Sequence, residues 1–570
     1  MKNNLVLSPI QKLFKNNCNN IILGKWYHKK IFKKNYQTSI SKYNDYSISR
    51  KRNCLKYLEK KYNKKIIDLT NFMNSLHGVN EDRRFWEIII GPFINRSLII
   101  AWDRWDSLKN CIKNENISSV ELGIYNFSKL IPKNHYELDH NYSNKYFNHY
   151  LYSEAFKILK NKNNIKFKYF KNTSAGIKRL NLKETFYIKK IFNKILEKFR
   201  KNQKYLFYNT YIPIKANLIL NYKLNNFPSF PHEFDKRLEY EKKINFKIRK
   251  TNPFKKRNDD EFDKFYNHII LKIMPSSYIE NFQLIKNYVY KINLEPKIIF
   301  TAVAHLSNDI FKIWSAEKMK NGSKLVISDH GGNLEQERNF FSNRIYHRHI
   351  QWVKSNNNKV VQLPPNIFLG RKKKNISKLN KILIILTCTD LFRANIFDRN
   401  ENDYDDFEIL KKFIFNLNKE INKNIYFRVH PSSPFKDIIE KEISKNFGVE
   451  KIDRSIFNDI FTKYNLIIDT NIQTTYYQCL NSRVPVLLFY NQELIKVTPL
   501  TKKIFLNMKK NKFIFSNTKN LKKHIEGIYD DPSGWWNSKK NLKIRADFSK
   551  NCSLNTKNDL EVWKKFFLKI

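Results

Sequence analysis

The sequence predicts an α/β protein with two doubly wound, Rossmann-like parallel sheets and a cleft between them, and three observations carry this. A strand–helix–strand unit is legible over Lys297–Ser328. Beyond Lys381, short apolar runs alternate with helical stretches. At 570 residues, with 41% hydrophobic residues, the chain is too long for one ordinary core and rich enough to fill more than one.

Taken in order, Asn20–Trp26 (NIILGKW) reads as a short strand. Arg84–Leu108 (RFWEIIIGPFINRSLIIAWDRWDSL) reads as two core helices interrupted near Gly91–Pro92, because proline cannot donate to the helical ladder. From Asn161 to Asn258 the chain is polar and Lys-rich, and helices with a variable insertion are expected. Lys297–Val303 is a strand, followed by the loop Ala304–Asn308. Asp309–Lys320 then sets Ile310, Phe311, Ile313 and Trp314 on one helical face and ends at Asn321–Gly322. Lys324–Ser328 is the next strand, so the pair must run parallel. Further strands are expected at Lys381–Thr387, Asn424–Val429, Leu466–Asp469, Pro485–Tyr490 and Lys512–Phe515. The predicted division is an N-terminal α/β domain with a helical insertion (1–353), a connector (354–380), a C-terminal α/β domain (381–530) and a helical tail (531–570).

The formal charge of +54 raises nucleic-acid binding. The excess is spread along the chain together with abundant Asn, Ile, Phe and Tyr, and there is no arginine-rich arm or zinc-finger spacing. A solvated basic surface is the expectation, with no specific nucleic acid as partner. Such a surface favours anionic partners, including nucleotide donors and anionic lipid headgroups. Six scattered cysteines without ligand spacing fit a reducing compartment and no metal site. Neither a signal peptide nor an uncharged run of the ~20 residues that span a bilayer is found. The expected location is cytoplasmic, peripheral at the inner face of the membrane.

Four segments offer chemistry. Ser328-Asp329-His330-Gly331-Gly332 lies at the carboxyl end of a predicted parallel strand, where open sheets bind ligands. Gly331 and Gly332 permit positive φ and close backbone approach to a substrate, and His330 with Asp329 suits a base and its orienting partner. The plain alternative is a tight turn with a capping Asp. His305, at the neighbouring strand end, is expected to face the same cleft. Phe427–Ser433 (FRVHPSS) puts Arg428 and His430 on one face, where they suit a phosphate; the alternative is an Arg paired with a carboxylate. Asp469–Thr475 leads into a helix, so Thr470, Asn471, Thr474 and Thr475 can bind an anion at its N-terminus or simply cap it.

Together these pieces resemble a known family. The carriers are Ile22–His28, His77–Leu108, Pro275–Phe282, Lys297–Gly332, Asp469–Asn491 and Tyr529–Ser538. The chain resembles the transferases of surface-carbohydrate biosynthesis known from Leptospira-type O-antigen loci, nearly end to end. The resemblance implies a glycosyltransferase-B-like architecture and a part in building cell-surface glycans such as O-antigen. More distantly, RVHP and the Thr-rich loop are similar to donor-phosphate motifs of sialyltransferases that use cytidine-monophosphate sugars, which assigns that role to Arg428, His430, Thr474 and Thr475. The chain departs from the family pattern where Asn333-Leu334-Glu335 follows HGG, where SNRIYHRHIQWV lacks a Gly, and where an arginine-aromatic-Pro segment reads RVHP. The expected partners are a nucleotide-sugar donor, serving as co-substrate with no further cofactor, and a glycan or lipid-linked acceptor. The competing expectations are polyol-phosphate transfer from a cytidine-diphosphate donor and a non-catalytic role in glycan assembly.

Overall fold

The computed structural model describes residues 2–24, 26, 35–41, 46–159, 165–172, 203–228, 231, 233–236, 238, 240, 243–254, 259–332, 334, 339–371, 380–392, 394, 403–482, 484–490, 494 and 497–570. Three parallel sheets stand where two were expected, each of five strands. The first is built from β1 (Asn3–Val6), β2 (Asn19–Ile22), β3 (Thr38–Ile40), β4 (Ser119–Tyr125) and β5 (Lys166–Asn172), in the order β3-β2-β1-β4-β5. The second runs β10-β9-β8-β7-β6, from β6 (Tyr205–Phe207), β7 (Ile298–Thr301), β8 (Lys324–Ser328), β9 (Arg348–Gln351) and β10 (Val360–Gln362). The third comprises β11 (Ile382–Ile385), β12 (Ile425–Arg428), β13 (Leu466–Asp469), β14 (Val486–Phe489) and β15 (Ile514–Phe515), in the order β12-β11-β13-β14-β15.

The predicted N-terminal domain therefore contains two sheets. The expected connector 354–380 also begins too early, since β10 lies inside it and completes the second sheet. Within Asn161–Asn258, helices form as expected at Ile214–Lys223 and Phe246–Arg249, and the unexpected elements are β5 and β6 at two sheet edges. Residues 173–202 of that stretch lie outside the described residues, as do Asn333 and Glu335.

The parallel β7–β8 pair is as expected, with Thr301 opposite Ile327. The helix Asp309–Lys320 between them buries Ile310, Phe311, Ile313 and Trp314. The loop predicted at Ala304–Asn308 contains a single helical turn, Ala304–Ser307. The largest correction is the helix Arg83–Asn114, which runs unbroken through Pro92. Asp82 caps it by accepting from the Phe85 N–H at 2.7 Å. Pro92 deletes one ladder hydrogen bond, a loss of order 1 kcal/mol, and its ring crowds the preceding turn. Each fully buried Ile, Leu or Phe on the same helix contributes about 1.5–3 kcal/mol, and Phe85, Ile88, Ile89, Ile90, Phe93 and Ile94 flank the proline in the core. Packing thus outweighs the break. By length and composition this helix could cross a membrane, but 89% of its most apolar window is buried against protein.

The tail is helical as predicted and spans two sheets. The helix Lys539–Cys552 packs Ile544 and Phe548 into the core of the third sheet, next to Trp536. The helix Asp559–Lys569 instead puts Trp563 and Phe567 against Tyr205, Phe207 and Phe300 of the second. The Trp563 indole N–H donates to the Pro364 carbonyl at 2.9 Å. Trp563→Ala is expected to cost about 3–5 kcal/mol in the second-sheet unit, read as a lower urea midpoint by circular dichroism.

Candidate active site

In the third sheet the strand order reverses between β11 and β13, the place where open α/β sheets hold ligands. The loop Thr470–Gln473 leaves β13 there and enters the helix Thr474–Asn481. Against it lies the segment that leaves β8, Asp329–Gly332. The Gly332 N–H donates to the Thr474 Oγ1 at 3.2 Å, across 142 residues of chain. A Cβ on Gly331 would stand 2.2 Å from that same oxygen, and one on Gly332 would stand 2.5 Å from the Tyr477 ring and 2.8 Å from Trp352. The left-handed glycines are Gly78, Gly322, Gly370 and Gly448, so the expected positive φ at Gly331–Gly332 is replaced by a steric requirement. Close approach is what these glycines provide, and what approaches is the third-sheet unit.

Asp329 does not orient His330. Its Oδ1 accepts from Nε2 of the buried His349 at 2.9 Å, and its Oδ2 accepts from the Trp352 N–H at 3.3 Å. The loop is thereby fixed to β9 and the residue just beyond it. His330 projects into solvent and makes no hydrogen bond among the described residues. Surrounding protein pushes its pKa below the usual histidine value, partly opposed by the Asp329 charge. Its ring lies 6.1 Å from that of Tyr211. Asn209 and Tyr211 both adopt left-handed φ, 48° and 59°, a strained state for non-glycine residues that persists only when the surroundings hold it. Here Asn366 donates to the Thr210 carbonyl at 2.6 Å, and Ala302 donates to the Asn209 carbonyl at 3.0 Å. His305 was expected beside His330 in the cleft, but it is buried in the turn Ala304–Ser307.

The polar residues of the third sheet divide into two groups. Arg428 is held by Asp453 and the Ser455 carbonyl, each at 2.8 Å, which is the carboxylate pairing weighed above. Burial alone would raise the Asp453 pKa, yet hydrogen bonds from Tyr464 and Ser455 and the Arg428 charge hold it below the usual range. Thr470 is a cross-strand pin. Its hydroxyl accepts from the Thr387 N–H and donates to the Ile385 carbonyl, both at 3.1 Å. Asn471 is buried, and its N–H is taken by the Asp469 carboxylate at 3.0 Å. His430, Thr474 and Thr475 are more open. Burial and the neighbouring Arg428 lower the His430 pKa, against the pull of Asp403.

Sequence reasoning missed Asp403 and His349. Asp403 is buried and accepts from Thr389 Oγ1 at 2.9 Å and from the Ser433 hydroxyl, tying the loops that follow β11 and β12. The signal for His349 was present in HRHIQW, where alternation turns His349 to the opposite face from Arg348 and Ile350. Among the described residues, no group of three or more His, Cys, Asp or Glu could hold a metal ion.

The model of one family, described as LIC12162 family transferase, matches residues 3–567. No curated protein matches the chain. The site geometry makes a graded prediction: Gly332→Ala should lower stability by about 1–3 kcal/mol through overpacking. Thr474→Val removes one hydrogen bond and should cost about 0.5–1.5 kcal/mol. Urea melts followed by tryptophan fluorescence, with Trp352 at the contact, would rank the two.

Proposed function

The chain belongs to the LIC12162 family of transferases, and from that premise we propose that it moves a sugar from a nucleotide-activated donor to a cell-surface glycan or its lipid-linked precursor. One observation carries the reading. The His330-bearing loop and the N-terminus of the helix Thr474–Asn481 meet over the point where the third sheet reverses its strand order. A base and an anion site then share one crevice.

In this reading the second-sheet side presents the acceptor hydroxyl to His330. The acceptor oxygen bonds to the anomeric carbon as the carbon–oxygen bond to the donor phosphate breaks, and His330 takes the hydroxyl proton. Its lowered pKa keeps the imidazole neutral and able to accept near pH 7. The departing phosphate gains negative charge, which the free N–H groups at the helix start, the Thr475 hydroxyl and His430 are placed to stabilise. Asp329 acts by fixing the loop through His349 rather than by taking the proton. Arg428, Thr470 and Asn471 hold the strand ends from which the donor-side groups project. The nucleotide sugar is a co-substrate, and the step as written uses no other cofactor.

A donor panel tests the reaction class directly. Purified full-length protein with a membrane-extract acceptor should release nucleotide from a nucleoside mono- or diphosphate sugar. Release only from a cytidine-diphosphate polyol would replace the sugar reading with polyol-phosphate transfer. Within the productive assay, His330→Ala should lower kcat/KM by roughly 10²–10⁴-fold. For the wild type, kcat/KM should fall as pH drops through a limb below 6.5, because the base works deprotonated and its pKa is lowered. A pH profile in which that limb survives His330→Ala would assign the base elsewhere.

A further inference from the structure

The helix Ile214–Lys223 is apolar on its outward face as well as its buried one, unlike an ordinary surface helix. Its buried face carries Ala216 and Leu220 together with the polar Asn217 and Asn221, which are satisfied by a 2.8 Å bond from Asn221 Nδ2 to the Asn217 carbonyl and a 2.7 Å bond from Asn226 to the Asn221 Oδ1. Its solvent face carries Ile214 at 71% exposure, Leu218 at 41%, Ile219 at 36% and Tyr222 at 82%. The inward groups are packed or hydrogen-bonded while large apolar groups stand exposed, so the outward face offers a contact that none of the described residues makes.

The charges around it indicate what that contact is. Lys215 is exposed on the same face. The tail helix Asp559–Lys569 packs alongside, through the Lys223–Glu561 pair and the shared core of Leu220, Leu224, Trp563 and Phe567. It adds exposed Lys565, Leu568 and Lys569 next to the apolar stripe. The acidic side chains on this helix are already occupied. Glu561 pairs with Lys223, and Asp559 accepts from the Gly370 N–H at 2.9 Å. Apolar and aromatic side chains fringed by exposed lysines, on a chain of net charge +54, match the chemistry of an anionic bilayer surface. The position matches as well. The helix begins just after the strained Asn209–Tyr211 loop, and Tyr211, 54% exposed, joins the apolar face to His330.

We propose that the outward face of Ile214–Lys223, with the lysines of the tail helix, seats the protein on an anionic membrane and brings the rim of the His330 cleft to the lipid surface. A lipid-linked acceptor would then reach the cleft from the headgroup layer. That last consequence rests on the transferase reading, whereas the membrane contact does not, so the test measures binding alone. Full-length protein is sedimented with vesicles of equal phosphatidylglycerol and phosphatidylcholine, and with phosphatidylcholine alone.

The wild type should bind the anionic vesicles at least tenfold more tightly than the neutral ones. Ile214→Glu/Leu218→Glu should lose at least tenfold of that binding, and Lys215→Glu/Lys565→Glu should lose most of the preference for anionic lipid. The substituted side chains are exposed, so urea midpoints should be unchanged. Tyr222→Glu, at the most exposed position, repeats the test with a single change should the double variant melt early. Undiminished vesicle binding by these variants would overturn the proposal. So would a wild type that ignores both vesicles but forms a dimer that Ile214→Glu/Leu218→Glu abolishes, since a second copy would then be the occupant. In either case nucleotide-sugar turnover with a soluble acceptor would be unaffected, which separates this failure from failure of the proposed reaction.

Discussion

The architecture depends on a backbone approach that no side chain can share. At Gly331–Gly332 the chain leaving β8 passes so near Thr474 and Tyr477 that any Cβ would overlap them. The contact is backbone to side chain, and it joins the segment leaving β8 to the helix that follows β13 through one hydrogen bond. The Tyr477 ring also meets Trp352 at 5.5 Å, edge to face, so the polar contact is backed by an aromatic one. Polar and aromatic contacts together join the two segments at this point, and the chain just before it forms the rim of the contact. His330 stands on that rim, one residue before the contact, where its reach is set by the glycines and not by its own packing.

Strands with buried, branched side chains on both faces were legible, and this covers the third sheet and the β7–β8 pair of the second. Leu325, Val326 and Ile327, or Ile467 and Ile468, can only be parallel strands covered by helices on both sides. Of the first sheet β2 was legible, within Asn20–Trp26, while the central β1 was hidden for a physical reason. The central strands of this sheet carry Asn4 and Asn20, both fully buried and joined by a 3.0 Å bond between side chains. Asn4 also reaches the Leu13 carbonyl, and Asn20 the Lys15 and Gln37 carbonyls. A buried amide with every partner in place costs little, yet in sequence it breaks the apolar run by which a central strand is recognised. Pro92 misled in the opposite direction, because a local rule about the ladder was overridden by burial that only the tertiary structure supplies.

The site was legible as a set of segments but not as a set of roles. Strand-end position brought HGG and the Thr-rich loop forward as candidates, and those two segments do meet. Which polar groups face a ligand depends on partners distant in sequence. Asp453 takes Arg428, Thr387 takes Thr470, and His349 takes Asp329. Each of these pairings draws a promising residue into the framework and leaves another exposed beside it. His430 stands beyond Arg428, Thr474 and Thr475 beyond Thr470, and His330 beyond Asp329. Alternation of this kind is a property of strand ends, where one residue must satisfy the sheet before the next is free to serve a ligand.

The helix Arg83–Asn114 explains why a segment far from the cleft in sequence belongs to the same functional unit. Arg344, just downstream of the HGG loop, donates from both Nε and Nη2 to Glu87 at 2.9 and 2.7 Å, and Tyr62 donates to the same carboxylate at 2.9 Å. Asn95, two turns further along, accepts from the Phe340 N–H at 3.0 Å and donates to Asn339 at 3.2 Å. Toward the other end, Arg104 reaches the Phe392 carbonyl at 3.1 Å, in the loop that leaves β11. One buried helix of the first-sheet unit thus grips the chain after Gly332 and the crevice loop of the third sheet. The second sheet supplies the Asp329–Gly332 segment, the third packs on it, and the helix of the first contacts both. Gly91 fits the same scheme, since a Cβ there would stand 2.9 Å from the Tyr62 hydroxyl that steadies Glu87. Continuity through Pro92 then matters beyond local packing: a break at that point would separate the Glu87 grip from the Asn95 grip on the chain that follows Gly332.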